Sequence, residues 1–217
     1  LDLNPLLADE AGVIVLDARI SVRPSESENR TAHLAICPYP KELESRLELK
    51  DGRNLELRPV VPEDEPALHA GFAKLTPEEI RLRFLVPMGF MTHMLAARFT
   101  QLDYDRDMAL VLTDPGIPGT GEIYAVVRLS ADPDNEQAEF AIIVRHEIAG
   151  QGVGRHLMER IIDYARSRGI HELWGVTLLA NRAMRALSHS LGFTESPYDS
   201  DSSLIRLSLP LTAAGSP

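Results

Sequence analysis

A chain of 217 residues, 44% of them hydrophobic, is long enough for one domain with a substantial core and some additional segments. The net charge of −10 and the lack of a basic run argue against a nucleic-acid partner, and no apolar run reaches the ~18 residues that a membrane span needs. The single cysteine, Cys37, excludes an internal disulfide and indicates a reducing, cytoplasmic compartment.

The first 48 residues differ in character from the rest of the chain. Asn4-Pro5 lies in an extended segment, and Gly12 to Ile20 reads as a strand. A lone strand cannot bury itself, so this part is interpreted as the end of a preceding domain. The polar, turn-rich stretch that follows is interpreted as a linker. The expected boundaries are 1–22 for the remnant, 23–48 for the linker, 49–211 for the main domain and 212–217 for a frayed tail.

Periodicity and turn signals predict the elements of the main domain. A capping box at Thr76 with Pro77 marks one helix start, and Asn181 marks another. The strands are short, apolar and rich in β-branched residues. The predicted helices are 64–75, 78–85, 92–101, 153–168 and 182–191, and the predicted strands are 55–60, 108–113, 122–130, 138–144, 173–179, 193–196 and 204–209.

The stretch from Ala138 to Gly169 carries the clearest signal of a ligand site. A strand leads into Gly150-Gln151-Gly152-Val153-Gly154-Arg155, which opens a helix. The glycines permit a tight turn and a close approach of a ligand, and a helix N-terminus favours an anion. Neither the dinucleotide pattern G-x-G-x-x-G nor the phosphate-loop pattern G-x-x-x-x-G-K-[ST] is present. The loop alone therefore leaves the identity of the anion open.

Two motifs resemble those of the GNAT acetyltransferases. One is the glycine turn, and the other is the run from Asn181 to Phe193, similar to the signature N-x-x-A-x-x-L-x-x-x-L-G-F. The resemblance implies an α/β (α+β) GNAT fold with a mixed, mostly antiparallel central sheet flanked by helices. It also implies that acetyl-CoA is the co-substrate, with its pyrophosphate on the loop amides and its pantetheine arm on the preceding strand. The cofactor-binding residues implied are Ile142, Ile143, Val144, Gly150, Gln151, Gly152, Val153, Gly154, Arg155 and Asn181.

Two departures from the family pattern matter for the site. Ala149 stands where the family usually has Arg or Gln, which removes one side-chain contact from the loop. Ser188 stands where many members carry a tyrosine near the thiolate of CoA. The general acid that protonates the leaving sulfur is therefore unassigned.

The N-terminal segment narrows the resemblance. Asp2-Leu3-Asn4-Pro5-Leu6 and the later Asp17-Ala18-Arg19 are similar to the end of the ATP-grasp domain of ADP-forming acyl-CoA synthetases. That domain joined to a GNAT domain resembles bacterial protein lysine acetyltransferases that regulate AMP-forming acyl-CoA synthetases by post-translational acetylation. The resemblance implies the same activity and protein partner here. Two alternatives remain open: acetylation of a small-molecule amine, and a non-catalytic acyl-CoA-sensing module.

Glu139 is the expected general base. Acetyl transfer needs a neutral amine, and a lysine ammonium has a pKa of about 10.4. Glu139 alternates with apolar residues in its strand, which would desolvate its carboxylate, and the family resemblance implies the same role. The weaker candidates for the base are Glu122, Glu136 and Glu147.

The other candidate residues have simpler interpretations. The seven histidines form no H-x-x-x-H pair and Cys37 is remote from them, so no metal site is predicted. Trp174, in an apolar strand, is expected in the core. Arg81, Arg83 and Arg98 are expected to be solvated charges on helices, and the alternative is that they bind an acidic partner surface.

Overall fold

The computed structural model describes residues 2–10, 12–21, 37–86, 88–198 and 202–211, and the chain divides into two compact units between residues 35 and 36. The first unit contains four short strands: β1 (Asp2–Leu3), β2 (Leu6–Asp9), β3 (Gly12–Val15) and β4 (Ala18–Arg19). β1 pairs with β4 and β2 pairs with β3, both antiparallel. The predicted strand from Gly12 to Ile20 is thus interrupted after Val15, and its apolar side chains are exposed.

The second unit contains eight strands and five α-helices among the described residues, and it confirms the helices and strands predicted for the main domain to within two residues at each end. The helices are α1 (Glu65–Ala73), α2 (Pro77–Phe84), α3 (His93–Thr100), α4 (Val153–Ser167) and α5 (Arg182–Ser190). The strands are β5 (Ser45–Glu48), β6 (Asn54–Pro59), β7 (Asp107–Thr113), β8 (Ile123–Ala131), β9 (Gln137–Val144), β10 (Glu172–Leu178), β11 (Thr194–Pro197) and β12 (Leu204–Pro210).

Strand β5 lies inside the stretch that was predicted to be a linker. It pairs antiparallel with β6, with Ser45 opposite Leu57 and Glu48 opposite Asn54. The prediction of a linker through residue 48 is therefore wrong, because Leu47 and Leu49 turn inward and give the sheet one more strand. Cys37 is half-buried with a free thiol. Residues 23–36 of the predicted linker and the predicted tail at 212–217 lie outside the described residues.

The eight strands form one sheet in the order β11-β12-β10-β9-β8-β7-β6-β5. Every neighbouring pair is antiparallel except β9 and β10, which are parallel. On one face, α4 buries Leu157 and Ile161 against Leu129 and Phe140. On the other face, α1 and its neighbours pack on side chains of β7 such as Val111. The predicted fold class, a mostly antiparallel sheet flanked by helices, is confirmed.

A buried ion pair fixes where α1 begins. The guanidinium of Arg58 at the end of β6 donates two hydrogen bonds of 2.7 Å to the carboxylate of Asp64. Asp64 also accepts the backbone N–H groups of Val61 and Gly119, each at 3.0 Å. One carboxylate thereby joins the sheet, the first turn before α1 and the loop between β7 and β8.

Candidate functional site

The parallel strands β9 and β10 separate part-way along their length. Their last paired residues are Glu139 and Trp174, whereas β9 stays paired with β8 as far as Val144. The ring of Phe140 packs so closely on Gly175 that a Cβ at that glycine would lie 2.8 Å from it. A side chain therefore occupies the point where the strands diverge, and a gap opens beyond it on the β10 side of β9.

The backbone of β9 presents amides to this gap. The N–H of Arg145 donates to the carbonyl of Tyr124 at 3.0 Å, so it faces β8. Because backbone direction alternates along a strand, Ile143 also faces β8, while Ile142 and Val144 face the gap. Of the three residues predicted to bind the pantetheine arm, two can therefore offer backbone groups, and Ile143 contributes only its side chain to the cleft wall.

The glycine loop leads from β9 into α4. Gly150 and Gly152 have φ of 76° and 90°, the left-handed region that glycine adopts without strain. Gly154 has a different role, because a Cβ there would lie 3.3 Å from the side chain of Leu187 on α5. The first hydrogen bond within α4 runs from His156 to Gly152. The amides before it have no acceptor in the helix, which makes this end an anion site.

These elements enclose a cleft with a volume of about 410 Å³. Eight of the ten predicted cofactor-binding residues line it: Ile142, Ile143, Val144, Gly150, Gly152, Gly154, Arg155 and Asn181. Val153 is buried in the core, and the side chain of Gln151 donates to Asp51 at 2.9 Å. Neither of those side chains lines the cleft, so their predicted contact with the cofactor would be through the backbone.

Asn181 caps α5, as predicted. Its Oδ1 accepts the N–H of Met184 at 3.1 Å, and its Nδ2 donates to Thr177 at 3.1 Å. Both ends of the amide are thus used within the protein, so contact with a cofactor stays a prediction. Ser188, on the same helix, is fully buried. It does not reach the cleft, which is consistent with leaving the general acid unassigned.

Helix α2 supplies a wall of the cleft that the sequence did not predict. Glu79, Leu82 and Arg83 all line it. Glu79 accepts the N–H groups of Thr76 at 2.7 Å and of His146 at 2.8 Å. Burial acts to raise the pKa of Glu79, but these hydrogen bonds outweigh it and hold the pKa below its ordinary value. The capping box located the start of α2, but no local signal indicates that this helix faces the cleft.

Glu139 lies where the gap begins, but it is exposed. The expectation of a desolvated carboxylate is therefore wrong. Its neighbours Ala138 and Phe140 are buried on the face that packs on α4, so Glu139 turns to the opposite face, beside Ser130 on β8 and Trp174 on β10.

Trp174 also departs from its expected place. It is half-buried, and its ring lies 4.3 Å from the guanidinium of Arg206. Its neighbours on β10, Leu173 and Gly175, are buried and belong to the other face. Trp174 is therefore a surface aromatic next to Glu139 and not a core residue.

The weaker candidates for a base have other roles or positions. Glu122 and Glu147 both bind the guanidinium of Arg145, at 3.0 and 2.6 Å. Hydrogen bonds from Lys74 and Arg145 lower the pKa of Glu122. Glu136 is exposed in the turn between β8 and β9. Glu139 is thus the one of the four that stands beside the gap.

The described ranges contain no group of three or more His, Cys, Asp or Glu side chains arranged to hold a metal ion. Within the same ranges, no helix combines the length and the apolar character needed to cross a membrane.

Replacing Val144 by proline tests the role of the strand amides. Proline lacks the N–H, but at this position no sheet hydrogen bond is lost, because the group faces the gap. We expect CoA to bind about 2- to 10-fold more weakly than to the Val144→Ala control, which keeps the amide. Titration calorimetry measures the dissociation constants, and equal values for the two variants would contradict the assignment.

His156 gives the fold a predicted pH dependence. It is half-buried on α4 with no hydrogen-bond partner for Nε2 among the described residues, and burial, assisted by Arg160, lowers its pKa. The unfolded chain protonates it near pH 6.5. The contribution of neutral His156 to the free energy of unfolding is therefore fully present above about pH 6.5. It is lost as the pH falls toward the pKa of the folded state. We expect acidification to lower the melting temperature more in the wild type than in His156→Gln, and an equal fall would contradict this.

Comparison with known proteins agrees with this geometry. The model of the acetyltransferase (GNAT) family matches residues 78–193. An acetyltransferase of Pseudomonas aeruginosa is 32% identical over 165 residues, which are 74% of this chain and 87% of that protein. The [ribosomal protein bS18]-alanine N-acetyltransferase of Salmonella typhimurium is 35% identical over 86 residues, 35% of this chain and 58% of that one. The crystal structure of the GNAT domain of S. lividans PAT matches with a TM-score of 0.71 at 27% identity, covering 80% of this chain and 100% of that domain. The chain therefore belongs to the GNAT family of acetyltransferases.

Proposed function

We propose that this acetyltransferase transfers the acetyl group of acetyl-CoA to the Nε atom of lysine residues in a protein, with AMP-forming acyl-CoA synthetases as the substrate class. The observation that carries the proposal is the cleft that runs from the glycine loop along the gap-facing amides of Val144 and Ile142. Glu139 lies three residues before Ile142 on the same strand, at the register position where β9 and β10 separate, and we propose that the path of the acceptor leads past it.

The path fits acetyl-CoA at both ends. The amides at the start of α4 suit a pyrophosphate, because they lack acceptors in the helix and carry the positive end of its dipole. The gap-facing N–H of Val144 suits a carbonyl group of the pantetheine arm, as an added strand would. The proposal includes no metal.

The chemistry is a direct transfer. Acetyl-CoA supplies the thioester; the lysine nitrogen bonds to its carbonyl carbon, the C–S bond breaks, and CoA leaves with the sulfur. Glu139 takes the proton that the ammonium must lose. The amide of Ile142, which faces the gap, is placed to donate to the carbonyl oxygen as negative charge develops there.

Three observations support a protein acceptor. Glu139 and Trp174 lie on an open face of the sheet, where a lysine on the surface of another protein could reach them. Two large apolar side chains, Phe90 and Met94, are 73% and 76% exposed just before and within α3, and exposed apolar surface is typical of protein contacts. The N-terminal segment and the likeness to the GNAT domain of S. lividans PAT point to the same class.

The test is acetyl transfer to a purified AMP-forming acetyl-CoA synthetase, followed by peptide mapping of the acetylated lysine. Free polyamines, amino sugars and amino acids serve as competing acceptors. Transfer to one or a few lysines of the folded synthetase would support the proposal. Turnover of a free amine with none on folded protein would instead identify a small-molecule acetyltransferase, and tight CoA binding without transfer to any acceptor would identify a sensing module.

A further inference from the structure

One charged side chain of the site has no ion-pair or hydrogen-bond partner among the described residues. Five charged side chains line the cleft and a smaller apolar cavity of about 70 Å³ under α1–α3, and Arg83 lines both. Among the described residues, Glu79, Arg128, Arg145 and Arg155 each form ion pairs or hydrogen bonds through their side chains. The guanidinium of Arg83 forms neither with any described residue, and it lies over the ring of Phe84, 4.9 Å from the centroid.

The surroundings of Arg83 favour the binding of an anion. The residue is half-buried, and the cavity beside it is lined by apolar side chains that include Phe72, Phe84 and Phe99. Burial and the nearby Arg128 lower the pKa of Arg83 to about 10, while Glu139 opposes the shift. A partly buried guanidinium without an ion-pair partner is well suited to bind an anion. The sequence-based expectation that Arg83 is a solvated helix charge is therefore wrong.

The position of Arg83 indicates which ligand brings that anion. The phosphates of CoA belong at the glycine loop, and the pantetheine arm that follows β9 carries no charge. Arg83 lies at electrostatic range of both Glu139 and Arg128, and Arg128 stands opposite Ala141 on β9, beyond the predicted pantetheine contacts. Arg83 thus faces the part of the path where the acceptor enters.

We propose that Arg83 binds a carboxylate that neighbours the acceptor lysine, so that this enzyme selects lysines flanked by Asp or Glu. The planar guanidinium suits bidentate binding of a carboxylate, and such charge-assisted hydrogen bonds are the strong ones. The inference rests on the proposed function, since it takes the acceptor to be a protein lysine.

The test uses pairs of lysine peptides that differ only in Glu or Gln at one position, from two residues before the lysine to two residues after it. For the wild type, we expect kcat/KM to favour the Glu peptide by about 10- to 100-fold at one or more positions, mainly through KM. In Arg83→Gln this ratio falls to about 1, and Arg83→Lys retains part of it. The control is Arg81→Gln, on the same helix, whose exposed guanidinium already binds Glu78 at 2.8 Å; it keeps the wild-type ratio.

Two results would overturn the inference. One is a wild-type ratio near 1 at every position. The other is an equal fall in kcat/KM for the Glu and Gln peptides in Arg83→Gln, which is expected if Arg83 acts on the thioester or supports the fold.

A binding measurement separates failure of this inference from failure of the proposed function. Trp174 is the chain's single tryptophan and stands beside Glu139, so its fluorescence in the presence of CoA reports peptide binding without transfer. Suppose that the Glu peptide binds at least about 10-fold more tightly than the Gln peptide, that this difference depends on Arg83, and that neither peptide is acetylated. This result would uphold the inference and reject lysine acetylation. Acetylation of the Glu and Gln peptides at equal rates would reject the inference and uphold lysine acetylation.

Discussion

Replacing Glu139 by glutamine is expected to lower kcat for acetyl transfer by about 10²- to 10⁴-fold, with little change in the dissociation constant of acetyl-CoA. Glutamine keeps the shape of the side chain but cannot take a proton from the lysine ammonium. Glu139 occupies the last register position before β9 and β10 separate, outside the residues of the cleft that are proposed to bind the cofactor. Steady-state kinetics with calorimetric titration of acetyl-CoA separate the two effects.

Glu136→Gln is the matched control for this experiment. Glu136 is exposed in the turn that precedes β9, and its replacement should change kcat by no more than about twofold. The activity of Glu139→Gln should also recover as the pH rises toward about 10, because the acceptor amine then loses its proton without assistance. An unchanged kcat in Glu139→Gln, or an equal loss in both variants, would remove Glu139 from the role of base.

Local signals in the sequence were sufficient for most of the fold. The capping box at Thr76 and Glu79 forms as written, with hydrogen bonds of 3.2 and 2.7 Å, because it depends only on residues three apart. Strand β5 was missed because it is a short edge strand of mixed polarity. Its assignment depends on pairing with β6, and pairing is not visible in a four-residue pattern.

The candidate site was predictable only where it is a local motif. The glycine loop and the cap at Asn181 follow from residue types at fixed spacing. By contrast, the separate roles of Ile142 and Ile143 follow from the register of β9 with β8. The positions of Glu79 and Arg83 follow from how α2 packs beside the cleft, which involves residues more than 60 positions away along the chain.

The environment expected for Glu139 was wrong, and its role as general base stays a prediction. Its apolar neighbours in the strand suggested burial, but Phe140 belongs to the opposite face and Ile142 lines the gap. Hydrophobic neighbours in a strand bury a residue only when both faces are covered. Here α1–α3 leave part of one face open, and Glu139 lies on that open part.

Replacing Asp64 by asparagine is expected to lower the free energy of unfolding by about 3–5 kcal/mol, the usual effect of removing one partner from a buried ion pair. Arg58 is only 5% exposed and would keep its charge without compensation. Urea denaturation measures this decrease in the free energy of unfolding. Asp163→Asn is the control, because the exposed pair of Asp163 and Arg166, 3.3 Å apart, should contribute no more than about 1 kcal/mol.

A double variant shows whether the uncompensated charge of Arg58 causes the loss of stability in Asp64→Asn. Arg58→Met with Asp64→Leu removes both buried charges, so its stability should exceed that of Asp64→Asn. Its transfer activity should nevertheless fall, since Asp64 also holds the N–H of Gly119 and fixes the first turn before α1, the helix that borders the cavity beside Arg83. A double variant that is no more stable than Asp64→Asn would mean that the hydrogen bonds to Val61 and Gly119 stabilise this corner of the fold, and not the neutralisation of Arg58.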